Sequence, residues 1–329
     1  MNMITNNSGL SSSMAVWLAH DEYTDGGDLF PGKDVISVTS LIKPTRQFIL
    51  GKRATPEEYT PDVVDMIRSR IGHALHDSIE AAWKDPRAAM MRLGYPKSII
   101  DRIKINPTEV SDEDIPVYLE QRYFREIDIN GHPVVISGKF DQIIDGEVND
   151  TKSTSVYTYI NGSKADDYAL QGSMYRWISP DKVTSDVMRI QHIFTDWQRS
   201  MARADPKYPQ QPLVEFTVEL MSLEATEAWI RRKILEILAN QGLDEPDIIP
   251  CSQKDLWMSD PLYKYYSDPA KAAEGGRSNK NFPNYPAAAA HLNKMGKGVI
   301  VTVEAEPKAC GYCAGFAGCT QKDQYDFKS

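Results

Sequence analysis

Hydrophobic and polar positions alternate along this chain with two periods, and the change of period marks the elements. Thr60-Pro61-Asp62 supplies a helix cap, a proline at the first helical position and an acid in the first turn. Val64, Ile67, Ile71, Leu75, Ile79 and Ala82 then recur at helical spacing and predict one long packed helix to about Trp83. Residues 85–115 read as a helical or loop insertion. Val117 to Ile129 is strand-like, turns at Asn130-Gly131 and returns in Pro133 to Ser137, ahead of a short hairpin over Gly138–Lys152; together these predict three or four antiparallel strands. Ser163 to Ile178 reads as a helix, and Val187 to Trp197 and Leu213 to Leu220 as further strands. In the second of these, Val214, Phe216, Val218 and Leu220 alternate with Glu215, Thr217 and Glu219. Ser222 caps a helix to about Asn240, which Gly242 stops. Ahead of all this, Val35 to Ile42 is a short strand or helix entry, and residues 1–33, with Gly26-Gly27 and Pro31-Gly32, read as a flexible arm with a short helix around Met14 to Asp21. The expected fold class is α/β of the α+β kind, a mixed central sheet flanked by helices. The expected division is an arm at 1–33, a core at 34–245 and a cysteine-bearing segment at 246–329.

The hairpin carries the first chemistry. Asp145-Gly146 between two strand-like runs predicts a two-residue type I′ turn. Ile144 then faces Glu147, Ile143 faces Val148, Gln142 faces Asn149, and Asp141 falls opposite Asp150. Directly opposed side chains stand roughly 4.5–5.5 Å apart at Cβ, where like charges repel unless something such as a divalent cation compensates. Lys152 projects from the same face as Asp150 because strand side chains repeat every second residue. Two acids and an amine on one surface can hold Mg²⁺ or Mn²⁺ against a phosphodiester and orient or deprotonate a metal-bound water.

Composition narrows the setting. The chain has 329 residues, 41% hydrophobic and 25% charged, with a formal charge of −9, so nucleic-acid contact requires a local patch and not a global field. Lys43, Arg46, Lys52 and Arg53 form one modest basic cluster, and Arg199, Arg203 and Lys207 another. Met1 to Ser13 is polar and no run approaches membrane-spanning length, which predicts a cytosolic protein. Its four cysteines are then expected as metal or cluster ligands and not as disulfides.

Gly138-x-x-Asp141 followed by Asp150-x-Lys152 resembles the PD-(D/E)xK nuclease superfamily, specifically its RecB-like branch, although Phe140 stands where the family name has proline and Asp150 where glutamate is common. Two further matches occur in the family's order. Gly72-His73-Ala74-Leu75-His76 fits the Gly-x-x-x-His of an early helix, and Gln171-Gly172-Ser173-Met174-Tyr175 fits the Gln-x-x-x-Tyr of the helix after the lysine strand. The resemblance implies a restriction-endonuclease-like core in which His76, Asp141 and Asp150 ligate the metal, Lys152 activates water, and Gln171 and Tyr175 position lysine or DNA. It implies a metal-dependent DNA exonuclease of phage or bacterial recombination, repair or DNA turnover, in bacterial or phage-infected cytosol, acting on single strands or DNA ends. The chain carries no helicase P-loop, so unwinding would fall to a helicase or recombination partner. Two other classes stand beside this reading: a non-catalytic DNA-binding or assembly subunit with the nuclease fold, and a zinc-stapled structural protein. Glu120, on the predicted first strand, is either an auxiliary acid or an exposed edge residue.

The C-terminal segment has a different texture. Cys251 stands alone, and Cys310, Cys313 and Cys319 form a compact Cys-x2-Cys-x5-Cys, a set suited to tetrahedral Zn²⁺ or to an iron–sulfur cluster. The run is similar to the closing cysteines of iron–sulfur RecB-like nucleases, which favours a structural [4Fe–4S] cluster, although there the fourth cysteine precedes the nuclease motifs. Between the cysteines, Lys264, Lys271, Arg277, Lys280, Lys294 and Lys297 are interleaved with Tyr263, Tyr265, Tyr266, Phe282 and Tyr285. Charges for phosphates and rings for unstacked bases form a candidate single-strand path with Lys264, Tyr265, Arg277 and Lys280 as contacts, or else a loop anchored by its aromatics.

Overall fold

The computed structural model describes residues 4–21, 24–55, 60–160, 164–325 and 327. Ser163, the expected start of one helix, lies outside them; the helix runs Ala165–Ile178. The chain divides into two compact units, Met1–Lys43 with Thr60–Glu236, and Pro44–Tyr59 with Ile237–Ser329. The expected boundary at 245 therefore moves to 236, and a segment of the expected core belongs with the cysteine-bearing part.

The first unit is an α+β fold whose strands are β1 (Asp34–Ser37), β2 (Ile103–Ile105), β3 (Ile115–Leu119), β4 (Arg122–Ile129), β5 (His132–Lys139), β6 (Gln142–Ile144), β7 (Glu147–Thr154), β8 (Val187–Phe194) and β9 (Leu213–Glu219). The main sheet has the order β2-β3-β6-β7-β8-β9, and a smaller one the order β1-β5-β4. The main sheet is mixed: β6 pairs antiparallel with β7, while β8 pairs parallel with it. A parallel pair needs a crossover, and the Ala165–Ile178 helix provides it. Every residue from Gln171 to Ile178 is buried. Gly172 lets this helix approach β8 closely, since a Cβ there would press on the Met188 side chain.

Local rules explain most boundaries, and long-range contacts explain the exceptions. The single strand expected over Val117–Ile129 is two, because Glu120 takes a left-handed φ of 51° and sends the chain from the main sheet into the smaller one. Asp62 caps the next helical segment, not Thr60: its side chain accepts from Val64 N, and Asp65 reaches back to the Asp62 amide. Asp62 also accepts from Asn7 N and Ser8 Oγ, and Leu18 of the Ser12–Ala19 helix is buried, so the described part of residues 1–33 belongs to the first unit and is not a free arm. The Ile67–Lys84 helix is not the packed element its periodicity predicts, for none of its residues is fully buried and Val64, Ile67 and Ile71 are each at least 40% exposed.

The second unit contains the Thr45–Arg53 helix and a small sheet of β10 (Leu262–Tyr266), β11 (Lys280–Phe282) and β12 (Val299–Val303), in the order β11-β10-β12. The Tyr285–Met295 helix covers one face, packing Ala287, Ala288 and Leu292 on Tyr263, Tyr265, Phe282 and Ile300. Among the described residues no helix is long and apolar enough to cross a membrane.

The β6–β7 turn fixes the hairpin. Asp145 and Gly146 have φ of 49° and 82°, and the Gly146 carbonyl accepts from the amides of Thr184 and Ser185, each at 3.1 Å. A Cβ at Gly146 would collide with Thr184 Oγ1 and sit in a conformation that favours glycine. Gly146→Ala is expected to cost about 1–3 kcal/mol, read from urea unfolding; an unchanged midpoint would contradict this account of the turn.

Candidate active site and cysteine site

The hairpin register is the one that Asp-Gly predicts, with Ile144 opposite Glu147, Ile143 opposite Val148 and Gln142 opposite Asn149. There the ladder stops. Asp141 lies before β6 and is not the ladder partner of Asp150; its carbonyl accepts from Glu120 N at 3.0 Å and its Oδ2 from Thr151 N at 3.0 Å. The β6–β7 ladder ends where Thr151 N, the donor that would extend it, turns to the Asp141 carboxylate.

Asp141 instead meets His76 and Glu120. His76 Nδ1 is 3.3 Å from Asp141 Oδ2 and 3.7 Å from Glu120 Oε1, and one ligand atom from each residue lies within 4.8 Å of the others. Lys139 Nζ stands 2.5 Å from Glu120 Oε2. The Asp141 carboxylate and then that of Glu120 push the His76 pKa up to about 10, so the site holds an imidazolium. For Asp141 burial works upward, but the bond and charge of His76, followed by Lys152, outweigh it and leave the carboxyl below its ordinary value.

Asp150 and Lys152 form the other half. Asp150 is 2% exposed on β7, and burial pushes its pKa up to about 6 against the opposing pull of Lys152. Lys152 Nζ is 2.6 Å from Asp150 Oδ2. Burial would lower the lysine pKa, but Asp150 and then Asp141 outweigh it and hold the ammonium form. Gln171 Nε2 donates to Asp150 Oδ1 at 3.3 Å and to the Tyr175 hydroxyl at 2.8 Å. Phe140 supports this arrangement, its ring edge-on to Tyr175 at 4.7 Å and stacked on Tyr123 at 5.2 Å.

All the residues expected here therefore lie in one neighbourhood, with Asp150 turned toward Lys152 and Gln171, and His76 toward Asp141 and Glu120. Sequence reasoning left Glu120 open and missed Lys139, Tyr168 and His192. Tyr168 shares the helix face of Gln171 and Tyr175, three and seven residues on, a spacing that could have singled it out. His192 is the β8 partner of Lys152 and is buried among Tyr159, Tyr168, Phe194 and Phe216, where burial lowers its pKa. No local motif marks it.

In the second unit, Cys251, Cys310, Cys313 and Cys319 line one small cavity of about 20 Å³, together with Arg46 and Phe316. All four are thiols. Burial, then Asp255, pushes the Cys251 pKa up to about 12, so any metal bound there would have to displace its proton. Gln321 joins the two halves of the motif: its Oε1 accepts from Cys251 N and its Nε2 donates to Cys251 O, each at 2.8 Å.

The expected DNA contacts do not share one surface. Tyr265 is 1% exposed, beneath the Tyr285–Met295 helix, and its hydroxyl donates to Lys297 O at 2.9 Å, so its ring cannot stack on a base. Of its aromatic neighbours, Tyr263 and Phe282 pack with it in the core of the small sheet, while Tyr285 is exposed. Lys280 is the cross-strand partner of Tyr265, Lys264 points to the opposite face, and Arg277 is exposed in the β10–β11 connection.

No protein family matches the chain, and no curated protein does. Among solved structures it is similar to one titled "Crystal structure of SSO0001", at 16% identity and a TM-score of 0.41, over 70% of this chain and 87% of that one. Neither value identifies a family.

The raised His76 pKa fixes a pH dependence. A group with a folded pKa above its unfolded value stabilises fully below the unfolded one, 6.5, and loses that contribution as pH rises through about 10. In metal-free protein the gap in unfolding midpoint between wild type and His76→Gln should therefore be widest near pH 6.5 and close by about pH 10. A gap independent of pH would contradict the pairing with Asp141 and Glu120.

Proposed function

We propose that the chain is a divalent-metal-dependent deoxyribonuclease of the RecB-like PD-(D/E)xK kind, acting as an exonuclease on DNA ends in phage or bacterial recombination, repair or DNA turnover. The observation that carries the reading is the convergence of His76, Glu120 and Asp141 from three separate segments within 4.8 Å, beside a buried Asp150 paired with Lys152. One imidazole and several carboxylates suit Mg²⁺ or Mn²⁺. His76, Glu120 and Asp141 would hold the ion, with Asp150, near enough for the Asp141 charge to act on it, as a further oxygen donor. When bound, the cation lowers the pKa of its water and polarises the phosphate.

The protein's own groups do the rest. Asp150 and Asp141 keep Lys152 an ammonium in the free site, so lysine first serves as a cation that offsets charge developing on the phosphate oxygens. With those carboxylates engaged by a cation, lysine would release its proton to solvent, and the free amine could then accept one from the attacking water. Gln171 and Tyr175 fix the Asp150 carboxylate that orients it. The four thiols around one cavity support a second, structural cofactor, a [4Fe–4S] cluster, with Zn²⁺ as the competing occupant. Reduced thiols fit a cytosolic setting, and a helicase or recombination protein is the expected partner.

The test is cleavage of end-labelled linear and covalently closed circular DNA in Mn²⁺ or Mg²⁺. Metal-dependent shortening from ends is expected, with Lys152→Ala slower by about 10²–10⁴-fold yet close to wild type in Mn²⁺ affinity. Asp141→Asn should lose Mn²⁺ affinity as well. Retained turnover in Lys152→Ala would remove lysine from the mechanism, and no cleavage of either DNA would overturn the nuclease reading.

A further inference from the structure

The cysteine site contains a buried cation that no metal motif calls for. Arg46, in the first turn of the Thr45–Arg53 helix, is 3% exposed. Its Nη1 donates to Ile248 O at 2.7 Å, its Nη2 pairs with Glu245, and its Nε donates to Cys319 Sγ at 3.4 Å. Glu245 in turn accepts from Thr320, the residue after Cys319, at both the amide (2.9 Å) and the hydroxyl (2.8 Å). Cysteine, cation and anion therefore form one rigid string at the edge of the cavity.

Burying a guanidinium costs several kcal/mol unless its charge and donors are met. Glu245 meets the charge on one side. On the other, Nε faces a sulfur, which accepts weakly as a thiol and strongly as a thiolate. Four thiolates around a doubly charged centre, whether Zn²⁺ or an oxidised [4Fe–4S] unit, leave a net charge of about −2 by formal counting. A fixed guanidinium on one ligand sulfur offsets part of it and holds Cys319 in place.

We propose that Arg46 is a positioning and charge-compensating residue for a thiolate-bound centre, and that Arg46 and Glu245 set the charge balance of that centre from opposite sides. The proposal rests on the reading of the four cysteines as ligands. An electron taken up from an added reductant makes an iron–sulfur centre more negative, so a neighbouring cation raises its potential and a neighbouring anion lowers it. For zinc the same charges act on affinity. Removing Arg46 weakens binding of the cation by its thiolates, and neutralising Glu245 leaves Arg46 freer to stabilise them.

The test uses the full chain purified anaerobically as wild type, Arg46→Gln and Glu245→Gln, with iron, sulfide and zinc quantified. If iron and sulfide are present, a redox titration should give a lower potential for Arg46→Gln and a higher one for Glu245→Gln. If zinc is present, chelator competition should show about 10–100-fold weaker retention in Arg46→Gln and tighter retention in Glu245→Gln. Should Arg46→Gln not fold, Glu245→Gln carries the test alone, because it keeps the Arg46–Cys319 contact. Shifts of the same sign in both variants, or loaded variants with none, would reduce Arg46 to an ordinary buried ion pair and overturn the proposal while leaving the cysteine reading intact. Protein with neither metal nor sulfide would overturn both.

Discussion

Burying Asp150 on β7 is the constraint on which the rest of the first unit depends. A strand reading Asn149-Asp150-Thr151 is polar, yet all three residues are buried in the middle of the main sheet. A carboxylate taken out of water is costly unless charge and hydrogen bonds are supplied around it. Lys152 supplies the charge and Gln171 a donor. Gln171 can do so only because the Ala165–Ile178 helix crosses tightly over β8 at Gly172, and its own orientation is fixed by Tyr175. The packing of that helix and the electrostatics of the strand are thus one requirement.

The second half of the site follows from backbone conformation. Glu120 occupies a left-handed position that costs a non-glycine residue about 1–3 kcal/mol, and its amide is spent on the Asp141 carbonyl. The same residue parts the two sheets and turns its carboxylate toward His76. A conformation that separates β3 from β4 also brings an acid to the site, which accounts for its toleration of strain. The resulting imidazolium and Lys139 balance the two carboxylates, and in the proposed function a divalent cation would take the imidazolium's place with release of a proton.

What could be read in the sequence was local. The Asp145-Gly146 turn and its register depend on two φ angles and a period of two, and Ser222 caps the following helix as its position implies, accepting from Ala225 N. The Asp141–Asp150 pairing was not legible because Thr151 N turns to the Asp141 carboxylate and the ladder ends one step early. Helical spacing at Val64, Ile67 and Ile71 gave an apolar face but not its burial, which depends on what lies opposite. Tyr265 shows the converse, an aromatic among lysines that looks like a binding residue and is core. Arg46 was one member of a surface-like basic cluster, and only the fold brings Glu245 and Cys319 to it.

If His76, Glu120 and Asp141 hold a divalent cation beside Asp150 and Lys152, as proposed, anomalous scattering from crystals of the full chain soaked in Mn²⁺ will show one strong peak among the three side chains, at coordination distances of about 2.0–2.3 Å from their nitrogen and oxygen ligands, with the Lys139–Glu120 contact loosened. Crystals with Mn²⁺ bound elsewhere and none at this position, with the site open to solvent and the three residues otherwise in place, would contradict it.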